Sequence, residues 1–311
     1  MPSVIVTGAT GILGRNPQKW PTMHALSRST KEDYPSSVIH NHIDLTSALK
    51  FTGALSLKRV ILVTGAKLYG VHLGAPKNSM CESDPWLIAP HRLPNPYYRQ
   101  QDTLHNFCAR HSISWVVTYP NDVIGFAEGN FINLGTTLGL YAAMTKELGT
   151  ELVFPGSERF YVGFDSFTCS KLHARFCVWA ALEPRAAGQA FNAVNGDVES
   201  WQTLWPKLAK RFGLRVKSDQ FAKPPGKDGA VMELVEKPPV ADMAAERRRS
   251  RDALEKATWG FLGFVLGRNY DLVIDMSKAR KLGWIGYVDT WDALSEVFGE
   301  LQEAKVLAKT Q

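Results

Sequence analysis

Apolar positions fall into two rhythms along the chain. Short continuous runs alternate with longer stretches in which apolar residues return every three or four positions. Residues 4–7 form the first short run, and residues 24–27 and 38–43 the second and third. Arg59-Val60-Ile61-Leu62-Val63 is the strongest strand signal, an unbroken aliphatic run of the kind expected of a strand buried on both faces. Residues 115–118 repeat it. Helical spacing appears over 98–110, with Leu104, Phe107 and Cys108 on one face. It recurs over 131–146, over 171–182 before Glu183-Pro184, over 201–212 before Gly213, and over 294–308. Strands alternating with helices predict a parallel sheet of βαβ units. The expected architecture is α/β: a shortened Rossmann-type sheet with helices on both faces and a smaller C-terminal part. Residues 1–130 form the nucleotide-binding part, joined by a later strand near 189–195. Residues 131–311 form a mostly helical substrate-binding part.

Two stretches are too short for a full nucleotide-binding domain. Pro17 and Pro21 follow Gly14 closely, and proline inside a helix costs about 3 kcal/mol, so the first helix must be brief. Few residues separate Asp44 from Arg59, whereas a strand–helix–strand crossover needs about 30. At least one βα unit is missing there.

The first strand runs directly into Gly8-Ala9-Thr10-Gly11-Ile12-Leu13-Gly14. Glycines at this spacing permit a tight turn and close approach of backbone to a pyrophosphate, and the helix start that follows offers free N–H groups. Gly8, Thr10, Gly11 and Ile12 are therefore candidate cofactor contacts, against the plainer reading of an ordinary strand–turn–helix. The second strand ends in Leu26-Ser27-Arg28-Ser29. Ser27 and Arg28 suit a ribose 2′-phosphate where an acidic residue would suit a free hydroxyl, which favours NADP(H). A solvated loop arginine is the alternative. Asp44 is placed to meet an adenine amine or to cap a turn.

Composition narrows the classes. At 311 residues, 45% hydrophobic and 21% charged, the chain reads as globular. No run of 18 apolar residues or basic-then-apolar leader occurs, so no membrane span or signal peptide is expected. The formal charge of +6 owes much to Arg247, Arg248, Arg249 and Arg251, a solvated surface in preference to a nucleic-acid site. The proline- and lysine-rich stretch 223–239 reads as a loop. Cys81, Cys108, Cys169 and Cys177 match no zinc spacing, so no metal is expected. Reduced thiols suit the cytoplasm. A base near Cys169 or Cys177 would be needed for catalysis; His173 is close in sequence, but core packing is the simpler role for both thiols.

One further pattern separates a tyrosine from its usual lysine. Short-chain dehydrogenases carry Tyr-x-x-x-Lys on one helix. Here Tyr98-Arg99-Gln100-Gln101-Asp102 has aspartate at the lysine position, and a lysine stands instead in Thr64-Gly65-Ala66-Lys67 after the central strand. With Pro96-Tyr97-Tyr98, Pro120-Asn121-Asp122-Val123-Ile124-Gly125-Phe126, Tyr141-Ala142-Ala143 and 191–198, the chain resembles the progesterone 5β-reductase/iridoid synthase-like family of extended short-chain reductases. The resemblance covers the chain from Arg59 onward and the first 45 or so residues less fully.

That resemblance implies NADPH-dependent reduction of the C=C bond of an enone or enal. Hydride adds to the β-carbon and negative charge builds on the carbonyl oxygen, where a tyrosine hydroxyl must stabilise it. The three-residue gap to Asp102 assigns that role to Tyr98 in place of Tyr97, with Lys67 holding the nicotinamide ribose and favouring the charged tyrosine. Thr64, Lys67, Tyr98 and Val123 are implied cofactor contacts. Tyr69, Phe126 and Phe261 are candidate walls of a hydrophobic substrate site, with core packing the competing role. The loop at 120–123 resembles the one beneath the nicotinamide, but Tyr119 replaces the Arg-like residue that usually opens it. Two other functions stay open: a carbonyl reductase or dehydrogenase on the same scaffold, and an NADP-binding regulator without turnover. A small enone, enal or carbonyl compound is the expected partner, and a homodimer is compatible with the sequence.

Overall fold

The computed structural model describes residues 57–87, 95–127, 134–222, 253–254, 257 and 259–308, and the backbone of three strands before them. Those three are β1 (Ser3–Thr7), β2 (Thr22–Ser27) and β3 (Val38–His42), paired in parallel in that order. The shortened first helix, the 223–239 loop and the Arg247–Arg251 run lie outside the described residues.

A second parallel sheet has β5 (Ser114–Tyr119) at its centre, between β4 (Arg59–Val63) and β9 (Gln189–Asn192). Its two faces are covered by different helices, as side-chain alternation along a strand requires. Val117 and Tyr119 of β5 pack with Tyr98, Leu104 and Cys108 of α1 (Pro96–His111). Val116 and Phe191 pack on the opposite face with Leu172 and Phe176 of α4 (Ser170–Leu182). The result is a Rossmann-type layering of helix, parallel sheet and helix.

The remaining elements thicken the α4 side. They are β6 (Val123–Ile124), α2 (Leu134–Glu147), α3 (Glu158–Val162), β7 (Phe164–Asp165), β8 (Thr168–Cys169), β10 (Glu199–Ser200) and α5 (Trp201–Phe212), then α6 (Trp259–Leu266), α7 (Ser277–Lys281) and α8 (Thr290–Glu303). Phe154, Trp201 and Trp205 pack edge to face in this larger core. No described helix is long and apolar enough to cross a membrane.

The strand expected to be buried on both faces is not. Residues of β4 are half-buried and Val63 is 36% exposed. Helices cover its faces, but among the described strands only β5 pairs with it, and only β2 pairs with β1. The missing βα unit inferred from spacing would stand between those two open edges. At its start, β4 is secured to α4: the Arg59 guanidinium donates to the carbonyls of Ala180 (2.5 Å) and Glu183 (2.8 Å), a cation at a helix C-terminus.

α4 also buries His173, whose ring meets the Thr118 hydroxyl at 3.0 Å. Burial pushes the imidazole down to about 4 from its usual 6.5. The folded protein therefore resists a proton that the unfolded chain accepts. Stability is expected to fall as pH drops from about 6.5 to about 4, by roughly 3 kcal/mol from this group. Thermal midpoints of wild type and His173→Gln across that window test it; parallel curves would disprove the assignment. Cys177 lies 3.7 Å from the same ring, and burial pushes its thiol up to about 12. A base is thus present, but the thiol stays protonated and packs as an apolar side chain.

Candidate functional site

Three segments converge at the carboxyl ends of β4 and β5, the end of a parallel sheet where ligands bind. The first is the turn after β4. Thr64 donates its amide to the Thr118 carbonyl and Ala66 to the Pro120 carbonyl, each at 3.0 Å. The chain then winds into a 3₁₀ turn, Ala66–Tyr69, closed by Gly70 in the left-handed conformation. The Lys67 side chain is exposed on that turn. Its charge reaches His72, whose imidazole is lowered by burial and then by Lys67.

The second segment is the start of α1. Asn95 caps the helix by accepting from the Tyr97 amide (3.0 Å), and its own amide donates to the Lys67 carbonyl (2.9 Å). Tyr98 adds a second tie, donating its hydroxyl to the Leu68 carbonyl at 2.7 Å and accepting from the Leu87 amide at 3.2 Å. These bonds fix the helix against the lysine turn. They also occupy the Tyr98 hydroxyl, and the residue is 1% exposed.

The neighbouring tyrosine differs. Tyr97 is half-buried, and its hydroxyl oxygen lies beside Gly65: a methyl group added there would stand 3.4 Å from it and 3.3 Å from the Pro120 carbonyl. Tyr98 bonds inside the lysine turn at Leu68, whereas the Tyr97 hydroxyl lies at the start of that turn and near the third segment, the loop at 120–123. Burial raises the Tyr97 phenol, so it is protonated at neutral pH and can donate. Four residues on, where short-chain dehydrogenases carry lysine, stands Gln101. It is buried, its Oε1 accepts from the Tyr119 hydroxyl at 3.0 Å, and its Nε2 has no hydrogen-bond partner among the described residues. Tyr119 therefore anchors the loop's entrance to α1, in place of the Arg-like residue of the resembled family.

The other sequence candidates separate into distinct surroundings. Thr64 is buried with its hydroxyl turned to the Thr118 carbonyl (3.3 Å). Val123 opens β6, paired with Thr168. Tyr69 donates to Asn192 Oδ1 at 2.7 Å, and burial raises its phenol. Asn192 in turn donates its Nδ2 to the Met80 and Asp275 carbonyls, so Tyr69 belongs to an internal polar network. Phe126 and Phe261 pack half-buried against the larger core, while Tyr98 belongs to the smaller one. Ser27 is the last residue of β2, described by backbone alone. Gly8, Thr10, Gly11, Ile12, Arg28 and Asp44 lie outside the described residues. Sequence reading missed Gln101, the anchoring by Tyr119 and the placement of Tyr97 beside Gly65; the lysine position four residues after Tyr97 was the available signal.

Comparison with known proteins joins these features. Residues 38–308 match a family model described as a PRISE-like Rossmann-fold domain. An uncharacterised protein of Schizosaccharomyces pombe is 32% identical over 394 positions, covering 97% of both chains. An alignment longer than this 311-residue chain requires segments that the relative has and this chain lacks. A 3-oxo-Δ(4,5)-steroid 5β-reductase of Arabidopsis thaliana is 30% identical, covering 75% of this chain and 60% of its own length. An (S)-8-oxocitronellyl enol synthase of Nepeta racemosa is 31% identical, covering 81% and 65%. Among solved structures, an epimerase of Methanothermobacter thermautotrophicus superposes with a TM-score of 0.64 at 14% identity, over 97% of this chain and 93% of the other, which is a likeness of fold.

Proposed function

The chain belongs to the PRISE-like Rossmann-fold family of short-chain reductases, and from that membership we propose that it is an NADPH-dependent oxidoreductase that reduces the C=C bond of an enone or enal. The observation that carries the reading is the protonated Tyr97 hydroxyl beside the Gly65–Lys67 turn. The names of the two plant relatives, a Δ(4,5)-steroid reductase and an enol synthase, both involve a double bond conjugated with a carbonyl or the enol it gives.

The described residues fit the nicotinamide end of a dinucleotide. Lys67 offers an exposed ammonium, the 120–123 loop offers backbone at a strand end, and Gly65 leaves no side chain between the Pro120 carbonyl and the Tyr97 hydroxyl. The glycine loop after β1 and Arg28 after β2 are the residues assigned to the phosphates. When bound, NADPH supplies a hydride for the substrate β-carbon. As the π electrons shift to the carbonyl oxygen, Tyr97 donates its hydrogen bond and then its proton there, giving an enol that tautomerises to the saturated carbonyl compound. Lys67, on the adjoining turn, is the cation assigned to favour the tyrosinate left behind, which returns to neutral by taking a proton from solvent. Tyr98 supports this arrangement by holding α1 to the Leu68 carbonyl.

NADPH oxidation with a panel of enals and enones, followed by product identification, tests the reading. A saturated carbonyl product is expected. An allylic alcohol would favour carbonyl reduction on the same scaffold. NADPH binding without oxidation across the panel would favour a non-catalytic protein, a reading that draws on β1 and β4 each having a single partner among the described strands.

A further inference from the structure

A buried charge cluster meets the 120–123 loop. Arg268 follows α6 and directs its guanidinium at Asp122, Nη1 donating to Oδ2 and Nη2 to Oδ1 (2.9 Å). Nη1 also lies 3.7 Å from Asp165 Oδ2 in β7. The three side chains are 3%, 6% and 1% exposed. The rings of Phe160 and Phe264 flank the guanidinium, with centroids at 5.6 and 5.2 Å. The backbone behind it is fixed as well. The Arg268 carbonyl accepts from the Ser157 hydroxyl, and the Ser157 amide donates to the Leu266 carbonyl at 3.0 Å.

Two ionised carboxylates on one guanidinium would leave a net negative charge in the interior, which is costly. A single retained proton makes the cluster neutral. Burial and the Asp122 charge push the Asp165 carboxyl well above its usual range. Asp122 is opposed by burial too, but the charge and hydrogen bonds of Arg268 hold it below the usual range. Among the described residues Asp165 Oδ2 accepts no hydrogen bond, as fits an oxygen carrying the proton that Asp122 accepts. The other Asp165 oxygen accepts from Asn121 Nδ2 at 3.0 Å, and the Asn121 amide donates to Thr168 Oγ1 at 2.9 Å. Successive residues of one loop are thus fastened to β7, β8 and Arg268.

The loop needs such fastening. Asp122 has φ of +31°, in a region that side chains other than glycine seldom adopt. One residue before Asn121, the Pro120 carbonyl accepts from Ala66 in the lysine turn. The backbone that receives the Arg268 cluster therefore also bounds the space around Tyr97 and Lys67.

We infer that Arg268, acting through Asp122 and Asp165, is a positioning residue that holds the 120–123 loop for the nicotinamide half of the cofactor. This rests on the cofactor reading above. The adenosine half is assigned to the carboxyl ends of β1 and β2, so the cluster acts on one half of the ligand.

Fluorescence and calorimetric titration with NADPH and with 2′-phospho-ADP-ribose, which lacks nicotinamide, separates the two halves. Arg268→Met and Asp122→Asn are expected to weaken NADPH at least about tenfold, as the loss of charge-assisted hydrogen bonds implies. Binding of 2′-phospho-ADP-ribose should change less than about twofold, a factor small against the tenfold that 1.4 kcal/mol represents. Arg268→Lys, which keeps the charge without the paired geometry, should fall between wild type and Arg268→Met. Asp165→Asn should weaken NADPH less than Asp122→Asn, because its amide still donates toward Asp122. Equal loss of both ligands would mean general disruption and overturn the inference, as would unchanged NADPH binding. If Arg268→Met does not fold, the two Asn variants and Arg268→Lys decide the question by the same comparison of ligands. A wild-type chain that binds neither ligand would instead overturn the cofactor reading on which this rests.

Discussion

Tyr97→Phe is expected to lower the rate of NADPH-dependent reduction by about 100-fold or more, the usual scale for removing one donor to a developing oxyanion. Its thermal midpoint should stay close to wild type, because the Tyr97 hydroxyl ties no helix or turn together among the described hydrogen bonds. Tyr98→Phe is expected to behave in the opposite way. Without the hydroxyl, the Leu68 carbonyl loses its donor and the Leu87 amide its acceptor, in a position 1% exposed. Leaving buried polar groups unpaired costs about 1–3 kcal/mol, a shift of several degrees in a protein of this size. Activity per folded molecule should be largely kept. Initial rates and melting curves of the two purified variants decide the matter. An inactive Tyr98→Phe beside an active, destabilised Tyr97→Phe would return the chemistry to Tyr98.

The two adjacent tyrosines show what sequence spacing resolves and what it does not. The Rossmann layering and the lysine after β4 are legible from strand runs and short motifs, and the convergence of 64–67, 97–98 and 120–123 from the family resemblance. Helix phase is not legible at that resolution. Neighbouring residues on a helix point about 100° apart, and which of Tyr97 and Tyr98 is buried against Leu68 and which lies beside Gly65 depends on how Asn95 caps the helix onto Lys67. The two residues four positions on differ likewise: Asp102, after Tyr98, is exposed, while Gln101, after Tyr97, is buried. Arg268 illustrates a different limit. It lies 146 residues from Asp122, and nothing local marks it as the partner of a loop bent to positive φ. Burial of β4 was overestimated for a third reason: an aliphatic run reports covered faces, but the edge depends on a further strand, and among the described strands only β5 pairs with β4.

Supplying that strand should have the largest effect on stability. Inserting a parallel strand and helix of about 30 residues between Asp44 and Arg59, taken from the longer Schizosaccharomyces pombe relative, is expected to raise the thermal midpoint by about 10 °C. That figure follows from the open edges. A five-residue strand placed between β1 and β4 would form ladder bonds on both sides, each contributing about 0.5–1.5 kcal/mol. It would also complete the burial of Val60, Ile61, Leu62 and Val63, at roughly 1 kcal/mol apiece for half-exposed aliphatic side chains. Ordering the new residues opposes most of this gain, so a net of about 3–5 kcal/mol is the expectation, at ~2–4 °C for each. The change should reach the site. One continuous sheet would hold the carboxyl end of β1, which leads to the glycine loop, in register with the carboxyl end of β4, which leads to Lys67. NADPH affinity should therefore rise together with the midpoint, whereas a graft that merely added surface would change neither. Melting curves with and without NADPH, and hydrogen exchange across 59–63, give the answer. An unchanged midpoint with β4 amides still exchanging freely would mean that the gap between β1 and β4 does not limit this protein.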